Sequence, residues 1–250
     1  MMKVLLVGYG KMGQMIDSYL SVINGKVEAI IDKNNPLYPL NISDIEPNNI
    51  DVAIEFTHPD SGFQNVHELL SKKIPVVTGT TGWFDKIEEL KKEFDPKQHT
   101  LIYGANFSVG MNLFFEIVKK ATQQINATNL YDVYGLEAHH RHKADAPSGT
   151  AKVLANIVLD NFVNKNSVVY DIKDKKINDD ELCFTSIRAG EIVGYHEIGF
   201  DSDFDEIKLS HNAKNRKGFA IGAILAAKFA IVNKGFHDFK DIFHLVNYEN

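Results

Sequence analysis

The residues with the densest chemistry lie between Glu137 and Ala151, in the run Glu-Ala-His-His-Arg-His-Lys-Ala-Asp-Ala-Pro-Ser-Gly-Thr-Ala. His139 to Lys143 are all basic or titratable, and they lead into Pro147-Ser148-Gly149-Thr150, a turn ahead of apolar residues at helical spacing (Ala151, Leu154, Ala155, Val158, Leu159). The first N–H groups of a helix lack internal partners and carry the positive end of its dipole, so such a turn can bind an anion. Lys143 adds a fixed charge, and histidines titrate near neutrality and can donate a proton. The combination suits an anionic substrate that must be protonated. No metal centre is expected, because the histidines lack an i, i+4 pair and no cysteine lies near them. His142 reads as a surface residue, Asp145 as a brace for the loop, and His196 and His211 as satisfied sheet residues.

Those groups need a scaffold. Lys3 to Val7 reads as a buried strand running into Gly8-Tyr9-Gly10-Lys11-Met12-Gly13, followed by apolar residues at helical spacing (Met12, Met15, Ile16, Tyr19, Leu20). This is a G-x-G-x-x-G turn in its strand–turn–helix context: Gly8 for the tight turn, Gly10 for close approach of a pyrophosphate, Gly13 for close packing of helix on strand. A second strand, Val27 to Ile31, ends at Asp32, about 20 residues on, where an acid can accept from ribose hydroxyls. That acid favours NADH, whereas Lys33 beside it either receives the 2′-phosphate of NADPH or is a solvated surface lysine.

From Asn34 to Asn49 there is no helical period, so the second crossover helix is expected to be short or absent. Further strands, Asp51 to Thr57, Pro75 to Thr78 and Leu101 to Tyr103, end in small, hydroxylated or amide-bearing residues around Phe56, Gly79 to Gly82 and Ala105 to Phe107. Strands alternating with helices predict a parallel, doubly wound sheet with its ligand beyond the strands' carboxyl ends. After Gly110 come an apolar helix (Met111 to Ile125), a strand (Leu130 to Leu136) delivering Glu137, and the helix from Ser148 to Phe162. Three strands follow: Cys183 to Arg188, Gly194 to Phe200 and Asp205 to His211. They are joined by turn-like Ala189-Gly190-Glu191 and Asp201-Ser202-Asp203, as in an antiparallel sheet. A final helix, Phe219 to Val232, is apolar nearly all round and should be buried. The fold class expected is α/β: a Rossmann-type domain (1–110 plus 218–250) and a second α+β domain with a mainly antiparallel or mixed sheet (111–217) for substrate binding and oligomerisation.

At 250 residues, 44% hydrophobic and 24% charged, the composition is that of a globular protein. A net charge of -6 gives no support to a nucleic-acid or membrane-surface role, so an anionic ligand must be held by a local basic cluster. The single cysteine, Cys183, forms no internal disulfide, which fits a cytoplasmic compartment. The first apolar run meets Gly8 too early for a signal peptide, and no run approaches the ~20 apolar residues of a membrane span.

Taken in order, Val7 to Gly13, Gly79-Thr80-Thr81-Gly82, Ala105 to Gly110, Glu137 to Ala151, Arg188 to His196 and His211 to Arg216 resemble the dihydrodipicolinate reductases (4-hydroxy-tetrahydrodipicolinate reductases) of bacterial lysine and diaminopimelate synthesis. The Glu137–Ala151 segment is the specific part; the glycine turn is shared by many dehydrogenases. The resemblance implies that NAD(P)H gives hydride to a cyclic dicarboxylate derived from pyruvate and aspartate semialdehyde, with loss of water, in a homotetramer. It implies His139 as general acid and Lys143 as its companion, with His140, Gly149, Thr150 and Arg216 at the substrate carboxylates. The implied cofactor set is Gly8, Gly10, Lys11, Met12, Gly13, Asp32, Lys33, Phe56, Gly79, Thr80, Thr81, Ala105, Asn106 and Phe107. Some relatives carry Glu-Arg where this chain has Asp32-Lys33, which leaves NADH against NADPH open. Two alternatives are another NAD(P)-dependent amino-acid dehydrogenase, of aspartate or diaminopimelate type, and a non-catalytic nucleotide-binding sensor. The first does not need the Glu137–Ala151 signature, and the second does not need His139 and Lys143.

Overall fold

The computed structural model describes residues 1–38, 40–173 and 176–245. Along the chain come β1 (Met2–Val7), α1 (Lys11–Leu20), β2 (Gly25–Ile31), β3 (Val52–Glu55), α2 (Pro59–Ser71), β4 (Val76–Thr78), α3 (Ile87–Glu93) and β5 (Thr100–Tyr103). Next are α4 (Val109–Asn126), β6 (Asp132–His139), α5 (Gly149–Asn161), β7 (Ser167–Val169), β8 (Glu181–Arg188), β9 (Tyr195–Asp201) and β10 (Glu206–Asn212). The chain closes with α6 (Lys217–Val232), β11 (Gly235–Asp238) and α7 (Phe239–Ile242). It divides into two compact units, Met1–Val109 with Arg216–Asn250, and Gly110–Asn215. Arg216 and Lys217 thus group with the first unit, since they cap and open α6, whose alanines belong to that unit's core. Residues 246–250, placed in the first domain by the sequence, lie outside the described residues.

The first unit is built on a six-stranded sheet ordered β11-β5-β4-β3-β1-β2, parallel throughout. Val4 to Val7 are buried on both faces, which is why β1 reads as a continuous apolar run. Val4 and Leu6 pack under α1 and α6, through Ile16, Leu20 and Ala220 to Ala230. Leu5 and Val7 face the opposite side, with Val66, Leu69 and Leu70 of α2 and Leu90 of α3. Between β2 and β3 the described residues form only two single-turn 3-10 segments, Ile42–Asp44 and Pro47–Asn49, as the missing period implied. The strand order reverses at β1, so the crevice beyond β1 and β3 is the switch point where such sheets take ligands. The edge strand β11 was not legible in the sequence.

The second unit carries a five-stranded sheet ordered β10-β9-β6-β8-β7. Here the sequence expectation of a hairpin between β8 and β9 is overturned: β6 lies between them, parallel to β8 and antiparallel to β9. Pairing on both edges satisfies the backbone of β6, which a β8–β9 hairpin would leave with one edge open. β6 also runs to His139 rather than ending at Leu136. Val133, Leu182, Phe184, Ile198 and Phe200 pack against Met111, Phe114 and Val118 of α4 and Leu154, Ala155 and Val158 of α5. No helix among the described residues is long and apolar enough to cross a membrane.

Candidate active site

In the first unit the glycine turn joins β1 to α1. Gly8 has φ +94°, and a Cβ there would lie 2.1 Å from the Phe56 carbonyl oxygen, while one on Gly13 would lie 2.2 Å from the Gly8 oxygen. Gly10 is the opposite case: a Cβ would meet nothing within 4 Å, and no side chain caps the helix that Gly10 opens. The N–H groups at the start of α1, near exposed Lys11 and half-buried Met12, are thus left for an anion such as a pyrophosphate. Asp32 accepts from the Tyr9 N–H (2.8 Å) and the Asn34 N–H (2.9 Å), which ties its carboxylate to the glycine turn and leaves lone pairs for ribose hydroxyls. Lys33 beside it is exposed. These features fit a dinucleotide.

The ends of β3 and β4 are tied together by a group whose role the sequence reading missed. Glu55 is fully buried and accepts from the hydroxyls of Thr57, Thr78 (2.6 Å) and Thr80 (2.9 Å) and from Asn65. Burial pushes its carboxyl up despite those donors. Thr80 Oγ1 also accepts from the Thr57 N–H at 2.8 Å. The Phe107 ring is buried, 4.6 Å from Phe239 and 5.9 Å from Phe56. Thr80 and Phe107, both expected to touch a cofactor, have buried side chains bonded to or packed against the protein. Phe56 and Gly79 are half-buried, and Thr81 and Ala105 are exposed. Asn106 accepts from the Ser108 N–H at 2.8 Å.

In the second unit the alternation along β6 carries the site. Val133 and Gly135 face the helices within an apolar region, and the next residue on that face is Glu137. Glu137 is in register with Ser186 of β8 and His196 of β9, and His196 with His211 of β10, so one polar row crosses four strands at the end of the core. One Glu137 oxygen accepts from the Ser148 N–H (3.0 Å), Ser186 Oγ (2.7 Å) and Arg188 Nη2 (2.8 Å). Burial alone would raise this carboxyl, but the hydrogen bonds from Ser148, Arg188 and Ser186 outweigh it and hold it at about 2.

His139, at the next position on the same face, is buried with Nδ1 3.2 Å from the second Glu137 oxygen. Its ring meets that of His196 edge to face at 5.1 Å. Burial lowers the His139 pKa, opposed by Glu137 and reinforced by Lys143 and Arg188. Burial likewise drives His196 to about 4, so it is neutral at physiological pH. His196 was expected to be an ordinary sheet residue; its Nε2 instead lies 3.7 Å from Glu137 and 3.4 Å from Ser148 Oγ. The ligand atoms of Glu137, His139 and His196 lie within 4.8 Å of one another. Arg188 already neutralises the carboxylate, which favours an acid–base cluster over a cation site.

The remaining expected residues gather around this row, except one. Ser148 caps α5, its Oγ accepting from the Ala151 N–H at 3.1 Å. Beside it Gly149 faces open space and Thr150 is half-buried, so the helix end is accessible. Lys143 Nζ lies 2.6 Å from Asp145 Oδ1, which makes Asp145 its brace. His140, past the end of β6, is half-buried, its ring 6.3 Å from that of His142. Arg216 belongs to the first unit, at the start of α6.

The fold is similar to that of a dipicolinate-bound dihydrodipicolinate reductase from Paenisporosarcina sp. TG-14 (TM-score 0.78, 22% identity, 97% of this chain and 99% of that one). It is more distantly similar to an amine dehydrogenase from Mycobacterium smegmatis (TM-score 0.61, 9% identity, 96% and 95% covered). The 4-hydroxy-tetrahydrodipicolinate reductase of Christiangramia forsetii is 35% identical over 241 residues, 96% of this chain and 97% of its own. That of Buchnera aphidicola subsp. Schizaphis graminum is 35% identical with 87% of each chain covered. Fold and site define a dinucleotide-dependent oxidoreductase of two α/β units. Family models described as dihydrodipicolinate reductase, N-terminus and C-terminus, match residues 2–107 and 110–243. The chain belongs to the dihydrodipicolinate reductase family.

Proposed function

We propose that this chain reduces 4-hydroxy-tetrahydrodipicolinate to tetrahydrodipicolinate, with loss of water, in lysine and diaminopimelate synthesis. The observation that carries the reading is the buried Glu137–His139 pair beside the open helix end at Gly149, in a chain of this family. Gly8, Gly10, Lys11, Met12, Gly13, Asp32 and Lys33 hold the dinucleotide's phosphates and ribose. Phe56, Gly79, Thr81, Ala105 and Asn106, with the main chain of Thr80 and Phe107, line the path of its nicotinamide, which supplies the hydride when bound. NADH and NADPH both fit the Asp32-Lys33 pair.

The N–H groups of Gly149 and Thr150 bind a substrate carboxylate, and Lys143 pairs with it once released from Asp145. His140 and Arg216 add donors. Hydride addition to a conjugated imine leaves an electron-rich enamine carbon, and His139 protonates it; such acid catalysis contributes about 10²–10⁴-fold. We assign the chain to the cytoplasm, where an unpaired thiol such as Cys183 is stable. We also assign it to a homotetramer. That reading is supported by the second sheet's other face, where half-buried Tyr134, Leu136, Cys183, Thr185 and Glu197 alternate with core residues; sedimentation velocity at two protein concentrations tests it.

The deciding assay supplies pyruvate, aspartate semialdehyde and a purified synthase and follows loss of NADH or NADPH absorbance. Turnover is expected, and its absence with both cofactors would refute the reading. His139→Gln should lower kcat by about 10²–10⁴-fold with KM little changed, and Lys143→Ala should harm both.

A further inference from the structure

Glu137 uses its two oxygens unequally. Oε1 takes all three donors, Ser148 N, Ser186 Oγ and Arg188 Nη2. Oε2 accepts no hydrogen bond among the described residues, although it is buried, and His139 Nδ1, 3.2 Å away, is likewise buried without a partner. A buried carboxylate oxygen lacking a donor beside a buried imidazole nitrogen lacking an acceptor makes each the natural partner of the other.

We propose that Glu137 is the positioning residue of the proton donor: it keeps a proton on His139 Nδ1, so that Nε2 delivers the proton to substrate, and its charge sustains the imidazolium. This rests on the reading of His139 as the acid. On the Nε2 side the neighbour is Gly194, where a Cβ would stand 3.3 Å from Nε2, so the glycine leaves no side chain of its own against that nitrogen. In the transfer the Nε2–H bond breaks and a C–H bond forms on the substrate carbon. The ring returns to neutral with Nδ1–H still held by Glu137 and regains its proton from solvent.

The other charges facing His139 do not remove the need for this partner. Arg188, from β8, and Lys143, from the loop after β6, both oppose the imidazolium, while Asp145 on the same loop favours it and is bound to Lys143. His196, from β9, turns the edge or face of a neutral ring toward it, and His211 lies beyond His196 in the next strand. Arg188 sits on Oε1 and fixes the carboxylate, leaving Oε2 aimed at His139.

The test is Glu137→Gln, which keeps the size and the Oε1 acceptor and removes the charge. An opposite charge at this range moves a pKa by about 1–3 units, so the His139 ring titration should fall by about one unit or more. It is read by ¹⁵N ring NMR, with the signal assigned by its loss in His139→Gln. The alkaline limb of kcat should move to lower pH with it, and kcat at neutral pH should drop about 10- to 100-fold. Arg188→Met, which unmasks Glu137, should move the His139 titration upward, a sign that damaged packing does not produce. Glu137→Asp, which keeps the charge, should lie between wild type and Gln. An unmoved His139 titration in Glu137→Gln, or a downward shift in Arg188→Met, would overturn the proposal. Because the titration needs no substrate, it decides the matter even if the wild-type chain fails the turnover assay, which would count against the functional reading alone.

Discussion

Replacing His196 by Gln should flatten the acid dependence of stability by an amount the structure sets. His196 is buried in the polar row and sits at about 4 instead of its ordinary 6.5. As pH falls below 6.5 the unfolded chain takes up this proton while the folded chain refuses it, so stability is lost as pH drops from 6.5 toward 4. Over the full shift the loss is about 3 kcal/mol, and between about pH 7.5 and 5 it is about 2 kcal/mol. For a chain of this length that corresponds to a Tm decrease of about 4–8 °C. Gln keeps a neutral polar group beside Ser148 Oγ but cannot take the proton. Glu137 does not interfere, because its carboxyl, at about 2 against an ordinary 4.5, loses its contribution only at lower pH. The assay is a thermal melt of wild type and His196→Gln in buffers of matched ionic strength, and the quantity is the difference in Tm loss between the two pH values. Equal losses in both proteins would refute the assignment of His196 as a buried neutral imidazole, since the other histidines contribute to both.

Gly10→Ala should leave the apo Tm near wild type, because its Cβ meets nothing, yet raise the Kd for NADH at least about tenfold by calorimetry. Gly8→Ala, with φ +94° and a Cβ 2.1 Å from a carbonyl, should instead cost roughly 2–4 kcal/mol of stability before any ligand is added. Glu55 has a raised carboxyl, so its contribution is present at low pH and lost as pH rises above its unfolded value of 4.5; Glu55→Gln should therefore lose less Tm than wild type between about pH 5 and 8. Asp32→Ala should weaken NADH more than NADPH in fluorescence titrations, and equal losses would show that Asp32 does not discriminate.

The sequence made the first unit largely legible because its signals are local. The Gly8–Gly13 turn, the apolar strand before it and Asp32 after β2 are each readable within a few residues. β11 escaped because Gly-Phe-His-Asp has neither an apolar run nor alternation; it is a strand only because β5 offers an edge. The order of the second sheet escaped for a related reason. Ala189-Gly190-Glu191 has the chemistry of a tight turn, but β6 competes for both flanking strands and wins. The site divided the same way. His139, Lys143 and Gly149 stood out by type and spacing, whereas Glu137 as a hub depends on Ser148, Ser186 and Arg188, which are 11, 49 and 51 residues away. The signals available were a charged residue inside an apolar strand, for Glu137 as for Glu55, and a histidine inside β9.

The division of the first unit has a consequence for how the protein is made. Gly110–Asn215 is one continuous stretch, whereas the first unit is split around it. Val4, Leu6, Ile54, Val77 and Ile102 receive their cover from Ala220, Ala223, Ala226, Ala227 and Ala230 of α6, which are translated after the whole of the second unit. At about 5–20 residues per second, that face of the sheet has only α1 against it, and lacks α6, for roughly 6–25 s after β5 has left the ribosome. Every residue of the later-encoded unit has been made before the earlier one receives the last helix of its core.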